Sequence, residues 1–208
     1  MSVMNGFRID LTNRIIGLNS HLNIYSFDNE ITNKQADELI LNIDNSFFYQ
    51  HYKSIETNGL IIKSNNSKGI MIKGYDEYDK NHYLFNSINM GALIQNPKSE
   101  ILIGDSLANE MNLSVGDKVK IAIPKTDKTI LGNIPRFKTL EVVGVFDLGL
   151  YEYDSNLIFL SSELVRKLLI YDEDIYNKIE FFTSSPNEIE LFKNIVELQI
   201  SNLLLNFY

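Results

Sequence analysis

Apolar residues recur along this chain with two different periods, and the changes of period divide it into elements. Met4, Phe7, Leu11, Ile15 and Leu18 stand three and four apart, which predicts a helix with one apolar stripe, ending near Gly17 and Asn19. An ordinary amphipathic helix packing on its own domain and a helix continuing a segment outside the chain fit this stripe equally. Leu22 to Phe27 reads as a short strand. Thr32 to Ile43 reads as a helix burying Ala36, Leu39, Ile40 and Ile43. Phe47 to Tyr52 and Ile55 to Lys63, rich in aromatic and branched residues, are strand candidates. The polar stretch Ser64 to Gly69 then turns the chain into Ile70 to Lys73, a hairpin.

The middle of the chain is different. Ile101 to Ile103, a short helix near Ser106 to Met111, the Val115-Gly116-Asp117 turn and the strand Lys118 to Ile123 follow in quick succession, with further strands at Leu140 to Phe146 and Leu157 to Leu160. After this mostly β stretch, Lys178 to Phe182 is a strand. Asn187 to about Leu205 is a helix burying Ile189, Phe192, Ile195, Val196 and Leu203. The two ends resemble each other more than either resembles the middle. An α+β unit split around an inserted β unit explains that order, with boundaries near Asp79 and Asp174.

Composition narrows the function. With 208 residues, 44% of them apolar, the chain can bury a core, and its net charge of -8 argues against general binding to a phosphate backbone. There is no cysteine, so disulfides, thiolate metal sites and thiol nucleophiles are excluded. The sequence has no apolar run of about 18 residues and no signal-peptide pattern. His21, His51 and His82 are not paired at metal-binding spacing, and no Gly-x-Ser-x-Gly elbow or phosphate-cradling glycine loop occurs. Carboxylates cluster at Asp76, Glu77 and Asp79, at Glu152 and Asp154, and at Asp172, Glu173 and Asp174, without the spacing of a calcium loop. They read as solvated turns. An enzyme using an acid pair near Asp76 or Asp154 would need a cleft there.

Pro124 to Lys138 stands out, a connection of about fifteen residues where a hairpin needs two to five. Lys125, Lys128, Arg136 and Lys138 face a single acid, Asp127, and Ile130, Leu131, Ile134 and Phe137 are interleaved with Gly132 and Pro135. This composition suits a projecting arm for an acidic partner. It also suits an arm whose apolar residues fold back onto the β unit, and periodicity does not separate the two.

Leu131-Gly132-Asn133-Ile134-Pro135-Arg136 followed by Val142-Val143-Gly144-Val145-Phe146 resembles the loop and strand of the LolC/LolE lipoprotein-releasing permease family. Ser2 to Phe7 with Asn13 and Ile16 to Leu18, then Ile103-Gly104, Leu107-Ala108, Leu113, Val115-Gly116-Asp117, Gly149 and Tyr151 to Asp154, extend the likeness over most of the chain. The resemblance implies an α+β periplasmic domain of the MacB-like kind. Residues 1–21 would continue a membrane helix, 22–79 and 175–208 would form a split porter-like subdomain, and 80–174 an inserted β-rich sabre-like subdomain carrying a hook hairpin at 124–138. Membrane helices would lie before Met1 and after Tyr208, although the family's last periplasmic strand is not found after Leu205.

The same resemblance implies function. The permease would release lipoproteins from the inner membrane to the periplasmic carrier LolA, working with a second permease subunit and the cytoplasmic ATPase LolD. This domain would hold no cofactor or metal and do no chemistry. The carrier-binding hook and adjacent pad map onto Lys120, Lys125, Lys128, Ile130, Leu131, Gly132, Ile134, Pro135, Arg136, Phe137 and Lys138. Phe137 and Lys138 depart from the LolC pattern of a polar residue and Arg, and Lys lacks the bidentate fork of Arg. A permease of the MacB or FtsX kind, acting by mechanotransmission on another periplasmic partner, is the alternative, and the basic Gly-Asn-Ile-Pro-Arg loop argues against it.

Overall fold

Thr32 starts the first helix with a capping box: its Oγ1 accepts the Gln35 amide at 3.2 Å while the Gln35 side chain accepts the Thr32 amide at 2.9 Å. Such a cap contributes about 1 kcal/mol. The computed structural model describes residues 20–25, 30–43, 48–76, 82–123, 136–183, 190, 193–194 and 196–197. The apolar stripe of Met4 to Leu18 lies outside them. The chain divides into two compact units, residues 1–54 with 174–208, and residues 55–173.

In the first unit the capped helix α1 (Asn33–Asn42) follows β1 (Leu22–Tyr25) and the short β2 (Ile31–Thr32). β3 (Gln50–Lys63) enters with its first residues, and β10 (Ile175–Tyr176) and β11 (Lys178–Phe182) return from the far end of the chain. β11 lies between β1 and the start of β3, antiparallel to both, with Phe181 opposite Leu22 and His51. β2 pairs with β10. Period two gives β11 two characters: Ile179 and Phe181 join Ile31, Ala36, Ile40, Ile43, Phe48 and Val196 in the core, while Lys178 and Glu180 share the other face. Glu190, Lys193, Asn194, Val196 and Glu197 are helical, as the spacing after Asn187 predicts.

The second unit is built on a closed sheet. After β3 the chain turns at Ser64 into β4 (Asn66–Tyr75); beyond a 3-10 turn at Tyr83–Ser87 come β5 (Ile88–Gly91) and β6 (Glu100–Gly104). Next are α2 (Asp105–Met111), β7 (Lys118–Ile123), β8 (Arg136–Phe146), α3 (Tyr151–Asp154), β9 (Leu157–Ser161) and α4 (Ser162–Leu169). The pairing order β3–β4–β9–β6–β8 continues through β7, which pairs with both β8 and β3, so these six strands close on themselves. β4 with β9 and β6 with β8 are parallel, whereas β6 with β9, β7 with β8 and β3 with β7 are antiparallel. Ile61, Ile72, Ile101, Ile103, Ile121, Val142 and Ile158 are fully buried. β6 and β9 read as unbroken apolar runs because both of their faces are covered. β5 is an edge strand on β8.

Several boundaries differ from the sequence expectation. The two strands expected at Phe47–Tyr52 and Ile55–Lys63 are one strand, β3, because Lys53 and Ser54 both stay in the ladder with β11. The division between units therefore falls within β3, between Ser54 and Ile55, and not near Asp79. The β3–β4 hairpin goes with the inserted unit because Leu60 to Ile62 pair with β7 and Met71 to Tyr75 with β9. β8 begins at Arg136 and not at Leu140, so the connection after β7 covers residues 124–135, all outside the described residues.

Two predictions follow from this packing. Gly104 caps α2, and a Cβ there would overlap the Asp154 carbonyl oxygen, whereas a Cβ on Gly69 meets nothing within 4 Å. Gly104→Ala lowers unfolding stability by about 2 kcal/mol or more and Gly69→Ala leaves it within about 0.5 kcal/mol, as urea titration checks. In the first unit His21 Nδ1 accepts the Thr183 amide at 3.0 Å, so the bond exists only for an imidazole unprotonated at Nδ1. Burial holds the His21 and His51 pKa below the ordinary 6.5, with Lys53 adding to the effect at His51 and Asp37 opposing it. With the folded pKa depressed, the stability from these neutral rings is fully present above 6.5 and is lost as pH falls through the folded value. The urea midpoint of His21→Asn with His51→Asn falls less between about pH 7.5 and about pH 5 than that of the parent chain.

Candidate partner-binding surface

β7 and β8 form two paired rails, joined along the chain by residues 124–135. Their register places Ile123 opposite Arg136, Ala122 opposite Phe137, Ile121 opposite Lys138 and Lys120 opposite Thr139. On the other edge of β7, Leu60 lies opposite Ala122, Ile61 opposite Ile121 and Ile62 opposite Lys120. Directly opposed residues share a face, so the pleat sorts these side chains into two sets. Ile61, Val119, Ile121, Ile123 and Leu140 point into the barrel and are buried. The rows Leu60–Ala122–Phe137 and Ile62–Lys120–Thr139 lie on the outside.

That sorting changes the picture drawn from the sequence. Lys120 and Phe137 share the outer face, and the Lys120 Nζ stands 5.8 Å from the Phe137 ring centroid, a cation–π contact. Arg136 and Lys138 belong to the opposite parity, beside Ile123 and Ile121, and are exposed at the start of β8. Arg136, Phe137 and Lys138 are thus strand residues presented on alternate sides, and not parts of the connection or one contiguous patch. Lys125, Lys128, Ile130, Leu131, Gly132, Ile134 and Pro135 lie outside the described residues. Together β7 and β8 carry Lys118, Lys120, Arg136 and Lys138 against one acid, Glu141, in a chain of net charge -8.

Phe137 is 51% exposed and Leu60 43% exposed, on either side of Ala122. Leu60 is the residue of this surface to which sequence reasoning gives no role. The uninterrupted Leu60-Ile61-Ile62 run hides which residue faces out, and only the parity set by buried Ile61 reveals it.

The acidic clusters resolve differently. Asp76 lines an open cleft of about 470 Å³ with Ser161, Ser162, Arg166, Lys167 and Tyr171. Its carboxylate accepts the Ser162 hydroxyl and the Arg166 Nη2, the latter at 3.0 Å, and so ties β4 to α4. At the rim of that cleft, the Lys167 hydrogen bond holds the Glu163 carboxyl below its ordinary range. Asp154 is buried and accepts the Leu148 and Leu150 amides at 2.8 and 3.1 Å, shaping the loop before α3, while desolvation pushes its carboxyl up. Among the described residues no group of acids and histidines is placed to hold a metal ion.

No protein-family model matches the chain. It is 24% identical over 180 residues to the lipoprotein-releasing system transmembrane protein LolC of Neisseria meningitidis, covering 84% of this chain and 43% of that protein. The LolC proteins of Xylella fastidiosa and Buchnera aphidicola are 24% and 25% identical over 83% and 89% of the chain. The chain resembles LolC. It spans less than half the length of these relatives. The LolC-like chain also shares its fold with the periplasmic region of MacB from Actinobacillus actinomycetemcomitans, at a TM-score of 0.52 and 15% identity, covering 92% of this chain and 89% of the other. The extracellular domain of the ABC-type transporter YknZ matches at a TM-score of 0.52 and 13% identity, over 82% of this chain and 86% of that one. Among the described residues no helix is long and apolar enough to cross a membrane.

Proposed function

We propose that this chain is the extracytoplasmic domain of an inner-membrane ABC permease that releases lipoproteins and passes them to a LolA-type periplasmic carrier. The observation that carries the reading is the cationic, aromatic root of β7 and β8, positive in an otherwise acidic chain whose sequence is LolC-like. The connection between β7 and β8 would be the hook, with Lys120 and Phe137 on one side of its base and Arg136 and Lys138 on the other as the adjoining contact residues. ATP would be used by a separate cytoplasmic subunit of the LolD kind, and the domain would stand on the periplasmic side of a dimer with a second permease subunit, the same or related. No bond of the lipoprotein is made or broken here. The domain binds a partner and transmits force.

A second reading, a permease that acts by mechanotransmission on a different periplasmic partner, draws on the MacB-like fold. The sequence likeness to LolC over 84% of the chain favours the first.

Exposed charges on such a surface chiefly set association rate and salt dependence, and a buried aromatic anchor chiefly sets dissociation. Arg136→Glu with Lys138→Glu therefore slows association with a purified LolA-type carrier, most at low salt. Phe137→Ala speeds release, with a loss of affinity of up to about thirtyfold, equivalent to about 2 kcal/mol. Biosensor kinetics at two salt concentrations checks both, with circular dichroism reporting the fold. Unchanged kinetics in every folded variant would sink the reading.

A further inference from the structure

The β7–β8 rails are not the edge of the exposed apolar surface. β7 pairs on its far side with β3, and the row Phe137–Ala122–Leu60 runs across all three strands on the outside of the barrel. Its two large members are 51% and 43% exposed, while Ala122 between them is 2% exposed, so the row is a shallow apolar stripe with two standing ends. The next row, Ile62–Lys120–Thr139, lays one cation across the stripe, with Lys120 over the Phe137 ring. Lys118 follows on β7, opposite Glu141. An apolar stripe edged by Lys120, with Lys118 further along offset by Glu141 opposite it, is complementary in a chain of net charge -8 to an apolar face bordered by acidic side chains.

We propose that the partner contact extends past the β7–β8 rails onto β3, with Leu60 as a second apolar anchor opposite Phe137, and that the partner presents there an apolar face rimmed by acidic side chains. This inference rests on the carrier-binding reading above and adds to it a strand far away in the sequence. The contact then has breadth: it crosses three strands and does not follow one hairpin alone.

Leu60→Ala is expected to weaken binding of a purified LolA-type carrier about fivefold to thirtyfold through faster dissociation, leaving the salt dependence of association unchanged. Leu60→Glu sets a carboxylate against the acidic rim and weakens it further. Leu41→Ala makes the same truncation at a residue 79% exposed on α1, outside this surface, and binds as the parent does. Leu60→Val keeps a strand-forming side chain and is read in place of any Leu60 variant that fails to fold. Combining Leu60→Ala with Phe137→Ala gives a non-additive loss, because the two side chains flank the same Ala122 and would seat on one partner face.

Carrier kinetics near those of the parent in the Leu60 variants, alongside weakened binding in Phe137→Ala or in Arg136→Glu with Lys138→Glu, overturns the extension and leaves the carrier reading standing. Unchanged binding in all of these variants overturns both. An equal loss in Leu41→Ala overturns the extension as well, since the effect would then not belong to this surface.

Discussion

β7 is hydrogen-bonded along both edges, and the second unit depends on that double pairing. Its six residues pair with β8 along their whole length and with β3 at Lys120, Ile121 and Ala122. The first ladder makes a hairpin and the second converts an open sheet into a closed one. Closure removes two edges that would otherwise expose unpaired amides and carbonyls, and it encloses Ile61, Ile121, Ile72 and Ile101 in one core. Close approach is built into β3, because a Cβ at Gly59 would stand 2.8 Å from the Ala122 carbonyl oxygen and from Ile72 Cδ1. A side chain there would push β3 and β7 apart at the pair that completes the ring. The Asp117 turn leading into β7 is fixed as well, its carboxylate accepting the Ser114 amide at 3.0 Å and Lys63 Nζ, from the end of β3, at 2.8 Å.

Much of this was readable where the signal was local. The three-and-four spacing of Ala36, Leu39, Ile40 and Ile43 locates α1, and alternation bounded by turn residues locates β7 and β11 at Lys118–Ile123 and Lys178–Phe182. What failed was non-local. Nothing in Leu60-Ile61-Ile62 says that its partner is β7, some sixty residues on, so neither the ring closure nor the boundary inside β3 could be derived. α4 does leave a mark, Ser161 followed by Leu164, Val165 and Leu168, but it abuts the apolar run of β9 and merges with it. The candidate surface suffered similarly: the identities of Lys120, Arg136, Phe137 and Lys138 were legible, while the face each occupies required the register.

The first unit answers a different constraint. Its sheet is apolar toward α1, yet the other face carries Lys178 and Glu180 with side chains only 7% and 1% exposed and 3.1 Å apart. Two charges withdrawn from water cost several kcal/mol each unless paired, and removing one partner leaves the other uncompensated. Lys178 Nζ also lies 5.4 Å from the Tyr25 ring centroid, and Ser20 reaches Glu180 at 3.5 Å. The register places Tyr25 and Ser54 opposite Lys178 and Asn23 and Tyr52 opposite Glu180, so this face is polar from strand to strand. A one-residue slip of β11 would turn the ion pair into the α1 core and set Ile179 and Phe181 among the polar groups of the other face, a double mismatch that fixes the register.

The pleat of β7 and β8 sets a condition on the proposed partner. Lys120 and Phe137 look outward from the barrel, whereas Arg136 and Lys138 occupy the alternate side at the start of β8. A flat protein face laid on the outer stripe meets the first pair and misses the second. A partner that uses all four side chains has to reach around the rails, with carboxylates on both sides of the strands and an apolar patch on only one. Charge then guides approach from either side, because long-range attraction is indifferent to parity at separations near a Debye length. The apolar contact admits a single docked orientation. For the proposed partner, the register of β7 and β8 would divide steering and seating between the two faces of a short ribbon.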